Sequence, residues 1–126
     1  MTTAGSVPEP RLRGGELNAA LARSIVRGHA RLTGRGPSKA RAFFHGNVVV
    51  VMLENSTTPA DRTLVTGGKR DTVLELRREL MESMTPDMVS TVEGLTGCAV
   101  VASLSDSHLD PDLTVMVFVL ASPIAG

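Results

Sequence analysis

The sequence of 126 residues contains no tryptophan, no tyrosine and only three phenylalanines. Proteins that bind single-stranded nucleic acid usually stack its bases on aromatic side chains, so this composition argues against that class. The lone cysteine, Cys98, cannot form a disulfide within the chain. This excludes a scaffold built on disulfides and is typical of a reducing compartment, so we expect a cytoplasmic protein.

Long apolar runs are missing as well. Apolar runs such as residues 48–53 are much shorter than the roughly 20 residues of a membrane-spanning helix, so we predict that the chain does not cross a membrane. Residues 1–10 are small and polar, contain prolines and lack the order of a signal peptide. We predict a disordered tail over residues 1–14 and a single domain over residues 15–122, which is long enough to bury one core.

Basic and acidic residues are equal in number but unevenly distributed along the chain. The 13 basic and 13 acidic residues give a net charge of zero, but residues 1–41 contain eight basic residues against Glu9 and Glu16. That part therefore carries a net charge of +6 and the remainder carries −6. Such a division predicts either an anionic partner or neutralisation of one part by the other, within the fold or across a dimer, and we favour neutralisation.

Periodicity predicts an α+β domain in which a four-stranded, largely antiparallel sheet carries helices on one face. Thr58-Pro59-Ala60-Asp61 and Thr85-Pro86-Asp87 each have the pattern of a helix start. The apolar stripes of the first and third helices are Leu17, Leu21, Ile25 and Leu32, and Val73, Leu76, Leu80 and Met84. The predicted order is α-β-β-α-α-α-β-β: helix 16–33, strands 42–45 and 47–54, helices 58–67, 69–84 and 85–97, and strands 98–104 and 113–121.

The last strand predicts a second apolar surface. Its two alternating sets of residues are both apolar: Val115, Val117 and Val119, and Met116, Phe118 and Leu120. The predicted helices cover only one face of the sheet, and an uncovered apolar face needs a partner. We therefore predict a homodimer.

The basic first part of the chain offers one candidate binding surface. Arg23, Arg27 and Arg31 recur at a spacing of four residues and form a basic ridge on the first helix. The turn after that helix adds further candidates: Arg35, Ser38, Lys39 and Arg41. This turn leaves a helix, whereas a P-loop places lysine and Ser or Thr at a helix start. Together these residues are the anion- or partner-binding candidates, and binding of nucleic acid or another polyanion stays open as an alternative function.

The segment between the last two strands is rich in carboxylates and contains a histidine: Asp106, His108, Asp110 and Asp112. A calcium loop that starts at Asp106 needs glycine in its sixth position and a carboxylate in its twelfth, but these are Pro111 and Val117. A site that combines the segment with His45 requires the two hairpin ends to meet in space. We predict no catalytic residue, no metal and no cofactor, and a metal-dependent enzyme is the least favoured function.

Three segments carry a family resemblance when they are considered together: residues 34–41, 92–97 and 104–112. Their order resembles the bacterial MpsC-like family, which is named for a Na+-translocating, membrane-potential-generating system. The resemblance covers about residues 16–120 and implies a non-enzymatic accessory or regulatory protein of a membrane ion or inorganic-carbon transport system. It implies a protein partner at the cytoplasmic side of that system. Ser107 stands where the pattern has a second histidine, which weakens a metal site in that segment.

Overall fold

A four-stranded antiparallel sheet with helices on one face forms the fold in the computed structural model, which describes residues 14–34 and 39–124. The elements in chain order are α1 (Gly14–Thr33), β1 (Lys39–His45), β2 (Val48–Glu54), α2 (Pro59–Thr66), α3 (Arg70–Thr96), β3 (Val100–His108) and β4 (Leu113–Leu120). The strand order is β1-β2-β4-β3, and each neighbouring pair is antiparallel. The predicted fold class is confirmed. The predicted tail, apart from Gly14, lies outside the described residues.

The core lies between the sheet and the helices α1 and α3. Alternate residues of the two central strands face it, because side chains on a strand point to opposite faces in turn. The buried strand residues are Val49, Val51 and Leu53 on β2, and Met116, Phe118 and Leu120 on β4. Leu17, Leu21 and Ile25 of α1 pack against them from the helix layer.

Helix α3 runs without interruption from Arg70 to Thr96 and joins the two helices predicted over residues 69–84 and 85–97. Pro86 lies inside it and supplies no backbone N–H for the helical ladder. The hydroxyl of Thr85 donates to the carbonyl oxygen of Met81 at 2.7 Å, so it bonds the preceding turn instead of capping a new helix. Buried methionines on both sides of the proline hold the two halves against the same core: Met81, Met84 and Met88.

The start of α2 has the predicted capping arrangement. Thr58 Oγ1 accepts a hydrogen bond from the backbone N–H of Asp61 at 3.1 Å, and Asp61 Oδ2 accepts one from the backbone N–H of Thr58 at 3.0 Å. Both bonds satisfy N–H groups that a helix start leaves without partners. Among the described residues, no helix has both the length and the apolar character that a membrane crossing requires.

Strand β3 is longer than predicted, because it continues to His108 instead of ending at Leu104. Asp106 and His108 therefore lie on a strand and not in a loop. Ser107 pairs with Thr114 and His108 with Leu113, so the polar segment is held by its ladder to β4 despite its turn-like composition. A shift of register between Val100 and Ala102 marks a bulge near the start of the strand.

Candidate functional site

A buried ion pair connects three segments at one end of the sheet. Arg77 Nη1 of α3 lies 3.0 Å from Asp112 Oδ1, and the two side chains are 7% and 12% exposed. The backbone N–H of Thr57 donates to Asp112 Oδ2 at 2.8 Å, and the Thr57 hydroxyl donates to the same oxygen. Arg77 Nη2 in turn donates to Thr57 Oγ1 at 2.9 Å. We name these three residues the Arg77 cluster.

The Arg77 cluster keeps Asp112 charged. Burial by itself raises the pKa of this carboxyl, but the hydrogen bonds from Thr57 and Arg77 and the positive charge of Arg77 outweigh burial. The pKa of Asp112 is therefore lowered from its ordinary value of 3.8. The backbone carbonyl of Asp112 also accepts a hydrogen bond from the N–H of Asn55 at 3.1 Å. The cluster thus fixes the segment after β2 to α3 and to the start of β4.

A cavity of about 260 Å³ lies beside the Arg77 cluster, between α1, α3 and the start of α2. Its three ionisable lining residues are already engaged within the fold. Arg77 is in the ion pair, Asp61 caps α2, and His29 Nδ1 lies 3.3 Å from Thr33 Oγ1. Because these groups have partners, the arrangement is that of a structural connection and not of a site prepared for a charged ligand.

The second feature is the sheet face opposite the described helices, which we name the open face. Its side chains alternate with the core residues along each strand, and they are partly buried or exposed although most are apolar. Phe43 at one edge is 48% exposed and Leu104 at the other edge is 62% exposed. The apolar residues between these edges are Val48, Val50 and Met52 on β2 and Leu113, Val115, Val117 and Val119 on β4. A contiguous exposed apolar surface is the usual mark of an interaction site.

The predicted basic ridge is exposed on α1, at Arg23, Arg27 and Arg31. Within the described ranges none of the three takes part in an ion pair. Arg27 Nη2 donates to Ser24 Oγ at 3.3 Å, which is a contact within the same helix. Direct ion pairs with the acidic helices of the same chain therefore do not neutralise this ridge.

The remaining basic candidates belong to the turn after α1 and to β1. Arg35 and Ser38 lie outside the described residues. Lys39 and Arg41 are exposed on β1 at the edge of the sheet. Arg41 Nε lies 3.6 Å from Glu54 Oε2 on the neighbouring strand, so this end of the group is joined to the sheet and is not part of the ridge.

The two histidines that a site in the acidic segment would have to combine do not come together. His45 pairs with Val48 at one end of the sheet, whereas His108 pairs with Leu113 at the other end. Asp106 and His108 are exposed on β3, Asp110 is exposed in the turn that follows, and Asp112 belongs to the Arg77 cluster. His108 Nδ1 lies 2.8 Å from the carbonyl oxygen of Pro111. In the part of the chain that the structure describes, no group of three or more His, Cys, Asp or Glu residues could hold a metal ion.

His29 and Arg77 are buried polar residues that sequence reasoning missed. His29 follows the buried Ile25 by four residues, and Arg77 follows the buried Val73 by the same spacing. The predicted stripes instead included Leu32 and Leu76, which are 46% and 45% exposed. A polar residue that continues an apolar stripe at this spacing was the available signal, because such a position lies on the core face of the helix.

Comparison with protein families gives one match. The family model described as "Na+-translocating membrane potential-generating system (MpsC)" matches residues 13–122. The match includes all of the described helices and strands. No curated protein and no solved structure matches the chain.

Proposed function

The chain belongs to the MpsC family, and from this premise we propose that it is a non-enzymatic accessory or regulatory protein of a membrane ion or inorganic-carbon transport system. It acts from the cytoplasmic side as a homodimer and contacts a protein partner of that system. The family description supports the association with a Na+-translocating, membrane-potential-generating system. The free thiol of Cys98 supports a reducing compartment.

The observation that carries this proposal is the open face. Its two central strands present valines and a methionine where the other face of the same strands is a closed core. Apolar side chains of this kind bind another protein surface by excluding water from it, and they supply no polar groups to orient a small hydrophilic substrate. The polar groups of the Arg77 cluster are engaged in the fold. The exposed chemistry therefore supports association between proteins.

Deletion of the gene for this chain in its own host tests the proposal. We expect the membrane potential, measured with a potential-sensitive dye, to fall in the deletion strain and to be restored by the unchanged protein. Val117→Asp places a charge on the open face and should restore the potential poorly, because burial of an unpaired carboxylate opposes association.

Leu32→Asp is the matched control, because it changes an exposed apolar residue to aspartate on α1, away from the open face. This variant should restore the potential fully if it accumulates to the same level as the unchanged protein. A deletion strain with an unchanged membrane potential and unchanged uptake of ions and inorganic carbon would reject the proposed role.

Binding of a polyanion is a second candidate, and one observation favours it. The three arginines of the basic ridge are exposed along α1 and form no ion pair within the described ranges. Aligned, unpaired arginines of this kind can contact phosphate groups in nucleic acid or at an anionic membrane surface. Retention on heparin that depends on these arginines and falls steeply with salt would support this candidate.

A further inference from the structure

Resting on the proposed homodimer, we infer how the two copies meet. The open faces of two copies stack against each other about a two-fold axis that runs parallel to the strands. In this arrangement Arg41 of each copy lies opposite the partner's Asp106. The open face is thus a self-complementary surface whose occupant is a second copy of this chain.

The pairing register arranges the open face in four rows that cross all four strands. Side chains directly opposite one another on neighbouring strands point to the same face, so each row can be assigned from the ladder partners. In the order β1, β2, β4, β3, the rows are His45, Val48, Val119 and Ala102; Phe43, Val50, Val117 and Leu104; Arg41, Met52, Val115 and Asp106; and Lys39, Glu54, Leu113 and His108.

Two symmetric ways of stacking these rows exist, and they place different edges together. A two-fold axis parallel to the strands keeps each row at its own level and exchanges the edges, so β1 of one copy covers β3 of the other. A two-fold axis across the strands keeps the edges and reverses the levels, so β1 covers β1. Both axes give an interface in which the same surface is used twice, as a closed dimer requires.

Charge separates the two arrangements. The open-face positions of β1 include Lys39 and Arg41, whereas β3 contributes Asp106. The axis across the strands stacks two basic edges on each other, which costs free energy because like charges are brought together. The axis parallel to the strands places Arg41 opposite the partner's Asp106 twice in each dimer. Electrostatic complementarity therefore selects the parallel axis.

The side-chain contacts of Arg41 and Asp106 fit this assignment. Arg41 Nη2 donates to Met52 Sδ at 3.1 Å, and Arg41 Nε lies 3.6 Å from Glu54 Oε2, so the guanidinium lies over the open face between two residues of β2. Asp106 Oδ1 accepts a hydrogen bond from the backbone N–H of Ser107 at 2.8 Å. Within the ranges that the structure describes, Asp106 has no ion pair. A cation supplied by the second copy would give this carboxylate its counter-charge.

The neighbouring apolar row matches in the same arrangement. Phe43, 48% exposed, lies opposite the partner's Leu104, and Leu104, 62% exposed, lies opposite the partner's Phe43. The largest exposed apolar side chains at the two edges thus cover each other, while Val50 lies opposite the partner's Val117. The twist of stacked sheets turns them by about 30° and displaces edge contacts by a distance that the long side chain of Arg41 can span.

The area of the open face determines the protein concentrations at which dimerisation should be measured. Strands about 4.8 Å apart with a rise of about 3.3 Å per residue give a face of about 19 by 23 Å, since the sheet has four strands and β1 and β2 have seven residues each. Two such faces have a flat area of about 900 Å², which is below the roughly 1,200 Å² of stable interfaces and lies in the range of weak or transient association. Dimerisation should therefore be followed over a series of protein concentrations.

Exchange of charges between the two edges tests the arrangement. Arg41→Glu puts a carboxylate opposite the partner's Asp106, and Asp106→Arg puts a guanidinium opposite the partner's Arg41. Each variant alone should dimerise about tenfold more weakly than the unchanged protein, because both charge pairs become repulsive. An equimolar mixture of the two should form a heterodimer with both pairs restored, which native mass spectrometry distinguishes by mass.

Controls for the change of charge are Arg62→Glu on α2 and Glu79→Arg on α3, both at exposed positions outside the open face. These variants should dimerise like the unchanged protein and should not pair preferentially when mixed. Circular dichroism spectra and thermal melts identify any variant that fails to fold. If a charge variant does not fold, a cross-linking pair that leaves the charges unchanged provides the same information.

The cross-linking pair is Phe43→Cys in one chain and Leu104→Cys in the other, each with Cys98→Ser. We expect a disulfide between the two different variants in a mixture and little within either variant alone. If the charge variants dimerise like the unchanged protein and no such disulfide forms, the proposed arrangement is wrong. The dimer and the proposed function would still stand. A strict monomer at every concentration would overturn the second copy as occupant, whatever the membrane-potential experiment shows.

Discussion

The two central strands are largely apolar on both faces of the sheet, but the two faces have different surroundings. On β2, Val51 is fully buried beneath the helices, whereas its neighbour Val50 lies on the open face and is only partly buried. The same alternation holds on β4, where Phe118 is buried and Val117 is partly exposed. Apolar composition alone therefore does not determine which face of the sheet forms the core of this protein.

The difference arises from the helices and from the Arg77 cluster. Helices α1 and α3 close one face, and the cluster fixes the loops at its end. We therefore expect substitutions on the covered face to change the free energy of unfolding, and substitutions on the open face to change association.

Removal of Asp112 should have the largest effect on stability. Asp112→Ala leaves the charge of Arg77 buried without its partner, and we expect the free energy of unfolding to fall by about 3–5 kcal/mol. Denaturant titration followed by circular dichroism measures this loss. Glu75→Ala is the control, because it removes the exposed partner of Arg78 on the same helix and should cost about 0.5 kcal/mol or less. Equal losses in the two variants would contradict a structural role for the cluster.

Adjacent valines on β2 give the most direct comparison of the two faces. Val51→Ala should lower the free energy of unfolding by about 2–3 kcal/mol, because it removes buried methyl groups and leaves a cavity. Val50→Ala should lower it by less than about 1 kcal/mol in dilute monomer. Denaturant titrations at low and high protein concentration separate stability from association. If Val50→Ala lowers the free energy of unfolding of the dilute protein by as much as Val51→Ala does, the open face belongs to the core of a single chain.

The architecture could be predicted from the sequence more completely than the Arg77 cluster. The reason is that local patterns depend on neighbouring residues, whereas the cluster depends on contacts between distant ones. The capping pattern at Thr58 and the alternation in β4 depend on neighbouring residues, and both predictions agree with the structure. The continuity of α3 through Pro86 depends on burial of the flanking methionines, which is a tertiary effect. The Arg77 cluster brings together Thr57, Arg77 and Asp112 from distant parts of the chain. Its geometry exists only after folding.

Low pH should lower the free energy of unfolding because it protonates the Asp112 carboxylate. Because the pKa of this carboxyl is lowered in the folded protein, its contribution to stability is fully present above the unfolded value of 3.8 and is lost as the pH falls through the folded pKa. Denaturant midpoints from about pH 6 to about pH 2 should therefore fall more steeply for the unchanged protein than for Asp112→Asn, with the difference developing below pH 3.8. The same dependence on pH in both proteins would show that Asp112 does not contribute to acid sensitivity.

The smallest effect on stability is expected at the basic ridge, which is exposed on α1. Arg23, Arg27 and Arg31 form no ion pair within the described ranges, so changing all three to glutamine should alter the free energy of unfolding by no more than about 0.5 kcal/mol.

The same triple variant decides between the two candidate functions when it is tested on heparin. If the open face is the working surface, the unchanged protein should elute below physiological salt, and the triple variant should differ little from a control. The control is Arg62→Gln, Lys69→Gln and Arg70→Gln together, which removes the same amount of charge from exposed positions on and near α2. Retention at physiological salt that is lost in the ridge variant and kept in the control would place phosphate-bearing partners on α1. Such retention should decrease steeply as salt rises, because each phosphate contact releases a condensed counterion. Polyanion binding would then replace the proposed accessory or regulatory role, and the open face would serve only in dimerisation.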